Sequence, residues 1–154
     1  VLMLHGGLGW IDDFGDFPPP ISERFFLGGP RTVRGFEFRR IGPLDEAGNP
    51  IGGVSSVLFN VELQIPLFKM VKGVIFFDGG NVFASDLEQT RIIEDGKLVT
   101  KGASFGITDL RYSAGLGLRM NTPMGPLALD FGWNLDPFPF EKGSVVHFDV
   151  GRRY

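Results

Sequence analysis

The sequence predicts an all-β fold, a stretch of antiparallel transmembrane β-barrel present as a curved meander sheet, on three observations. Apolar residues recur with period two along consecutive segments, so each segment has one apolar face. The opposite faces carry Gly, Ser, Asn, Arg, Asp and Glu, too polar for a buried core but suited to a wet lumen. The connections alternate in length: long over about 12–52, short at 66–70, long at 85–109, short at 121–126 and intermediate at 136–143. Outer-membrane barrels join their strands by short turns on one side and longer loops on the other, whereas a soluble sandwich with one wet face follows no such rule.

Composition narrows the function classes. The chain of 154 residues is one domain's worth or part of a larger one, and its 16 Phe and 23 Gly suit strands with tight bends better than a helical bundle. No Cys is present, which excludes a disulfide scaffold and thiolate-bound zinc. A net charge of -3 argues against nucleic acid as a partner, since such binders show a basic face. No apolar run approaches the roughly 20 residues of a membrane-spanning helix, but barrel strands of about 9–11 alternating residues escape that test. With neither an initiator Met nor a signal peptide at Val1, the sequence is expected to be a piece of a longer protein.

Taken in order, Val1–Ile11 is apolar and Gly-rich and reads as the tail of a strand. The long connection that follows has too many apolar anchors (Phe25, Phe26, Leu27, Val33, Phe36, Phe38, Ile41) for a solvated linker, so it is expected to fold against something. At its centre stands Val33-Arg34-Gly35-Phe36. Arginine keeps its charge when buried and offers carboxylates a rigid fork, which suits Arg34 to an anchoring role. Val54–Ile65 places Val57, Phe59, Val61, Leu63 and Ile65 on one face and Ser56, Leu58, Asn60, Glu62 and Gln64 on the other; Pro66–Lys69 reads as a short connection. Val71–Phe83 sets Ile75, Phe77 and Phe83 opposite Asp78.

Ser85–Asp109 is polar and reads as a second long loop. Leu110–Met120 alternates Leu110, Tyr112, Ala114, Leu116, Leu118 and Met120 against Arg111, Ser113, Gly115, Gly117 and Arg119. Asn121–Pro126, with two prolines and a glycine, is a turn. Leu127, Leu129, Phe131, Trp133 and Leu135 form the apolar side of the next strand, opposite Ala128, Asp130, Gly132 and Asn134. Asp136–Gly143 turns the chain, and the last strand puts Val146, Phe148, Val150 and Tyr154 on one face and His147, Asp149, Gly151 and Arg153 on the other.

Catalytic and metal motifs are weak. GGPRTVRG lacks the Gly-Lys-Ser/Thr ending of a phosphate loop. His5 and His147 stand far apart with no nucleophile pattern, and Asp12, Asp13 and Asp16 lack the Gly and Glu of a calcium loop. No cofactor, metal or enzymatic activity is therefore expected. Trp10, Tyr112, Trp133 and Tyr154 read as interfacial girdle residues.

Five blocks in order, RFFLGGPRTVRGFEFRRIGP, GGVSSVLFNVELQIPL, VIFFDGGNVF, LRYSAGLGLRMNTPMGPLALDFG and VVHFDVGRRY, resemble the barrel of the Omp85 superfamily over nearly the whole chain from about Phe17. The resemblance implies that residues 1–154 are the C-terminal portion, strands eleven to sixteen, of one sixteen-stranded outer-membrane barrel, with POTRA domains and the N-terminal strands lying outside this sequence. It implies that the long connection is the family's sixth extracellular loop, folded into the lumen with Arg34 against Glu62 and Asp78 on the inner wall. It also implies a C-terminal signal and one lip of a lateral gate at Val146, Phe148, Val150 and Tyr154, although Arg152 departs from the usual apolar residue in that row. The function implied is folding and insertion of β-barrel proteins into the outer membrane of a Gram-negative bacterium, with nascent barrel proteins, accessory assembly lipoproteins and the lipid and lipopolysaccharide membrane as partners. The alternative is a two-partner-type secretion transporter or another Omp85 member, a translocation and assembly module, exporting dedicated substrates; a passive porin is disfavoured because the loop would plug the lumen. Five or six strands cannot close a barrel, so the isolated segment is expected to self-associate or to need detergent.

Overall fold

The computed structural model of the protein describes residues 1–12, 19–45, 47–84, 90–94, 97–101, 109–123 and 125–151. The strands are β1 (Leu2–Trp10), β2 (Ser55–Phe68), β3 (Val71–Phe83), β4 (Thr90–Glu94), β5 (Lys97–Lys101), β6 (Arg111–Thr122), β7 (Gly125–Asn134) and β8 (Ser144–Val150). Six of them form one sheet in the order β1-β2-β3-β6-β7-β8, and β4 and β5 form a separate two-stranded one. Every pairing is antiparallel, so the large sheet is a meander with β1 and β8 as its edges. The expected all-β antiparallel fold is what the chain adopts.

Alternation along the strands produces two chemically opposed faces. In β7, Leu129, Phe131 and Trp133 are exposed while Asp130, Gly132 and Asn134 are buried. The same inversion runs across the sheet: Leu116, Leu118, Ile75, Phe148 and Val150 point outward, whereas Asn60, Glu62, Asp78 and Ser113 are buried on the inner side. An apolar outer face with a polar inner one is the arrangement that a hydrocarbon surround selects. Phe59, Phe77 and Tyr112 form an aromatic ladder across β2, β3 and β6, with ring centroids 5.9 to 6.1 Å apart.

What buries the inner face is the long connection between β1 and β2. Its only helical piece among the described residues is a short 3-10 turn, Ile21–Glu23. It is otherwise tied by isolated bridges, Phe25 to Gly53, Leu27 to Ile41 and Leu44 to Pro50. Leu27, Val33, Phe36 and Ile41 from this loop pack with Val82 of β3 into an apolar core, flanked by Phe25 and Leu58. The core therefore lies between loop and sheet.

The structure departs from the sequence expectations in six places, the first being Phe38, expected as an anchor of the loop but 69% exposed. Pro66, Leu67 and Phe68 belong to β2 rather than to a connection; the register shifts between Pro66 and Phe68, and such an irregularity accommodates a proline that cannot donate to the ladder. The turn expected at Asn121–Pro126 shrinks because β6 continues through Thr122 and β7 begins at Gly125, whose φ of 124° suits glycine. The polar stretch after β3 contains the β4–β5 hairpin, so it is not a plain loop. The inner face of β3 is not uniformly polar, because Val74, Phe76 and Val82 are buried there, Val82 beneath the apolar loop. Phe83, assigned to the outer row, is 7% exposed at the rim. Asp13, Asp16, Arg152, Arg153 and Tyr154 lie outside the described residues.

Candidate functional site

Arg34 is the most completely buried cation among the described residues, with 1% of its surface exposed. The loop delivers it there by packing Val33 and Phe36, 0% and 2% exposed, on either side of it. The guanidinium donates from Nε and Nη2 to the two oxygens of Asp78 at 2.7 Å each, a bidentate fork. Nη1 donates to Glu62 Oε2 at 2.5 Å, and the Arg34 backbone N–H donates to Asp78 Oδ2 at 3.1 Å. The cationic plane sits 3.7 Å from the centroid of the Phe76 ring, where the π face adds attraction in a site shielded from water. Burial pulls the Arg34 pKa down, but hydrogen bonds and charge from Asp78 and Glu62 outweigh it and leave the pKa above its ordinary value. The group is a permanent cation.

The structure thus brings Arg34, Glu62 and Asp78 together, from the loop, β2 and β3. It adds two residues that the sequence reading placed on the polar face without a role. Arg119 of β6 donates to Glu62 Oε2 at 3.0 Å and to Asp130 Oδ1 of β7 at 2.6 Å. Glu62 also accepts from Gln64 at 2.8 Å. The result is a chain of two guanidiniums and three carboxylates across four strands and one loop. Buried charges are tolerated when each is paired and hydrogen-bonded, and this network supplies that.

Backbone fit completes the seat. Gly35 N–H donates to Ser113 Oγ at 3.1 Å, and Gly132 of β7 lies against the Arg34 carbonyl. A Cβ built on Gly132 would stand 2.5 Å from that oxygen and 2.8 Å from the Gly35 nitrogen, so the approach requires glycine. Asn60 donates to the Thr32 carbonyl at 2.6 Å, and Arg31 reaches Asp149 of β8 at 3.4 Å. His147, given no role in the sequence beyond its place on the polar face, places Nε2 3.1 Å from the Phe36 carbonyl oxygen. Among the described residues no group of three or more His, Cys, Asp or Glu is arranged to hold a metal. Of the closing-strand residues, Val146, Phe148 and Val150 form an exposed row on β8 away from this site.

The seat's chemistry is that of a lock: an always-charged fork held by fixed carboxylates ties a 44-residue separation in sequence into one contact. The family model for the Omp85 superfamily domain matches residues 1–154. The chain belongs to the Omp85 superfamily. Among Omp85 relatives, it is 35% identical over 141 residues to the outer membrane protein assembly factor BamA of Nitratidesulfovibrio vulgaris, an alignment covering 87% of this chain and 16% of that protein. It is 32% identical over 141 residues to outer envelope protein 80, chloroplastic, of Arabidopsis thaliana, covering 90% of this chain and 16% of the relative. The crystal structure of BamA from Haemophilus ducreyi lacking POTRA domains 1-3 shares the Omp85 fold with a TM-score of 0.71 at 23% identity, over 96% of this chain and 31% of that one. The six-stranded sheet is a stretch of Omp85 barrel wall, and the chain spans 16% of the length of these two curated relatives.

Proposed function

We propose that this chain is the C-terminal barrel portion of an outer-membrane protein assembly factor, which folds and inserts β-barrel proteins into the outer membrane of a Gram-negative bacterium. The observation that carries the reading is the loop motif Val33-Arg34-Gly35-Phe36 seated on the inner wall through Asp78 and Glu62, in a chain 35% identical to a BamA. In this reading Arg34 is the latch that holds the loop inside the lumen. The closing strand, with Val146, Phe148 and Val150 facing outward and Tyr154 beyond the described residues, is one lip of a lateral gate. Its unpaired backbone groups can accept an incoming strand by augmentation, which needs no side-chain code and so suits many unrelated substrates. Nascent barrel proteins, accessory assembly lipoproteins and the lipid and lipopolysaccharide membrane are the partners.

Depleting the full-length protein in its native host and quantifying the outer-membrane proteome tests this. A broad fall across unrelated barrel proteins is expected. Loss of one secreted protein with other barrels intact would move the assignment to a dedicated two-partner-type transporter.

The isolated 154-residue chain carries a wide apolar outer face and two open edges, at β1 and β8. It is expected to self-associate or to require detergent. Light scattering behind size exclusion checks this, and a monodisperse monomer without detergent would contradict the lipid-facing placement of Leu116, Leu118, Leu129 and Phe131.

A further inference from the structure

A third, partly buried cation stands on the same inner face, apart from Arg34 and Arg119. Arg111 opens β6, its side chain 12% exposed, and Nη2 donates to Glu141 Oε2 at 2.6 Å and to the Asp136 carbonyl at 2.7 Å. Both acceptors belong to the connection at 135–143, between β7 and β8. Glu141 Oε2 also accepts from Asn134 Nδ2 at 3.1 Å and from the Phe138 N–H at 3.0 Å, so one carboxylate oxygen organises the whole turn. The Arg111 guanidinium lies over two rings, with centroids 3.9 Å away for Phe138 and 5.0 Å for Phe36. Its Nε is buried with no hydrogen-bond partner, a cost that the two π faces offset.

Phe36 is the last residue of the loop motif, two positions from Arg34. Its ring meets Arg111, and its carbonyl meets His147 of β8. Beside it, Glu37 pairs with Lys142 at 2.6 Å on the exposed side of the same connection. Loop motif and turn therefore meet at Arg111, and the closing strand joins them through the carbonyl of the same Phe36.

We propose that Arg111 and Glu141 are positioning residues that bind the motif's Phe36 to the connection preceding β8, so that the seated loop and the closing strand are held as one body. This rests on the reading of the loop as a latch and of β8 as a gate strand. It goes beyond that reading by making the loop a brace for the gate. Unseating the loop would release the outer end of β8.

Amide hydrogen exchange on the full-length protein in lipid nanodiscs tests the coupling. Arg111→Gln, Glu141→Gln and Phe36→Leu should each speed exchange about tenfold at both 33–38 and 135–143, the scale of losing a cation–π contact or a charged hydrogen bond. Amides at 60–62 and 76–78 should keep wild-type rates. A residue that merely shapes its own turn would loosen 135–143 alone. Arg111→Gln with 33–38 unchanged, or Phe36→Leu with 135–143 unchanged, overturns the proposal. If Arg111→Gln loosens the whole sheet, the two milder variants decide: Glu141→Gln keeps the shape and Phe36→Leu keeps most of the apolar volume, and the proposal falls if neither links the two segments. Exchange reports this coupling whatever the protein inserts, so its failure is distinct from an outer-membrane proteome that stays intact on depletion.

Discussion

Replacing Arg34 with Ala is expected to unseat the loop and to abolish most assembly activity in the full-length protein. The backbone N–H that donates to Asp78 remains; what the change removes is the fork to Asp78 and the bond to Glu62. Asp78 and Glu62 are 0% and 6% exposed, and both are left with less compensating charge. Breaking a buried ion pair from one side costs about 3–5 kcal/mol, because the orphaned charge keeps its desolvation penalty. Glu62 retains Arg119, whereas Asp78 loses its forked partner, so Asp78 bears the larger share. Arg34→Lys should recover little, because a point ammonium cannot make the fork or stack on Phe76 as a plane. Protease accessibility of the loop and the levels of folded outer-membrane proteins are the measurements. A loop that stays protected, with normal assembly at normal protein levels, would count against the latch.

Gly132→Ala is expected to produce nearly the same defect without touching a charge. The added carbon would meet the backbone of Arg34 and Gly35, at 2.5 Å from the Arg34 oxygen and 2.8 Å from the Gly35 nitrogen, and backbone on both sides cannot rotate away as a side chain could. Either the loop lifts or β7 shifts, and either separates the guanidinium from Asp78. Gly35→Ala approaches from the other side, toward Ser113 and the Trp133 carbonyl oxygen at 2.7 Å, and should behave alike. Gly143→Ala is the control, since nothing stands within 4 Å of the point its Cβ would occupy, and it should be near neutral. Loop protection against protease again provides the readout. Wild-type protection in Gly132→Ala would show that the loop does not sit at this distance from β7.

Much of the barrel wall was legible because its signal is local. Period two along 54–65, 71–83 and 110–120 needs only the pleat to separate two faces, and it placed Glu62, Asp78 and Arg119 on the polar side, as the same alternation along 127–135 placed Asp130. The pairing of Glu62 and Asp78 with Arg34 was expected only through the family resemblance, and the partners of Arg119 were not legible at all. Arg119 chooses Glu62 and Asp130 because β2, β6 and β7 lie within reach of it on the same face, a fact of sheet register rather than of neighbours in sequence. The hairpin Thr90–Glu94 with Lys97–Lys101 escaped because its polar composition carries no apolar alternation, and Pro66 was misplaced because proline usually ends a strand and here occupies an irregular pairing.

By itself, then, the sequence determined the class of fold, the two faces of each strand, and the loop motif with a cation seeking carboxylates. Only the tertiary structure decided what lies under and around that cation: Phe76 beneath the guanidinium, Gly132 against its carbonyl, and Arg111 bridging Phe36 to the turn before β8. The physical reason is range. Alternation and charge type are properties of adjacent residues, whereas a buried site is assembled from segments whose separation in the chain, 111 residues between Phe36 and His147, is spanned only once the strands have paired.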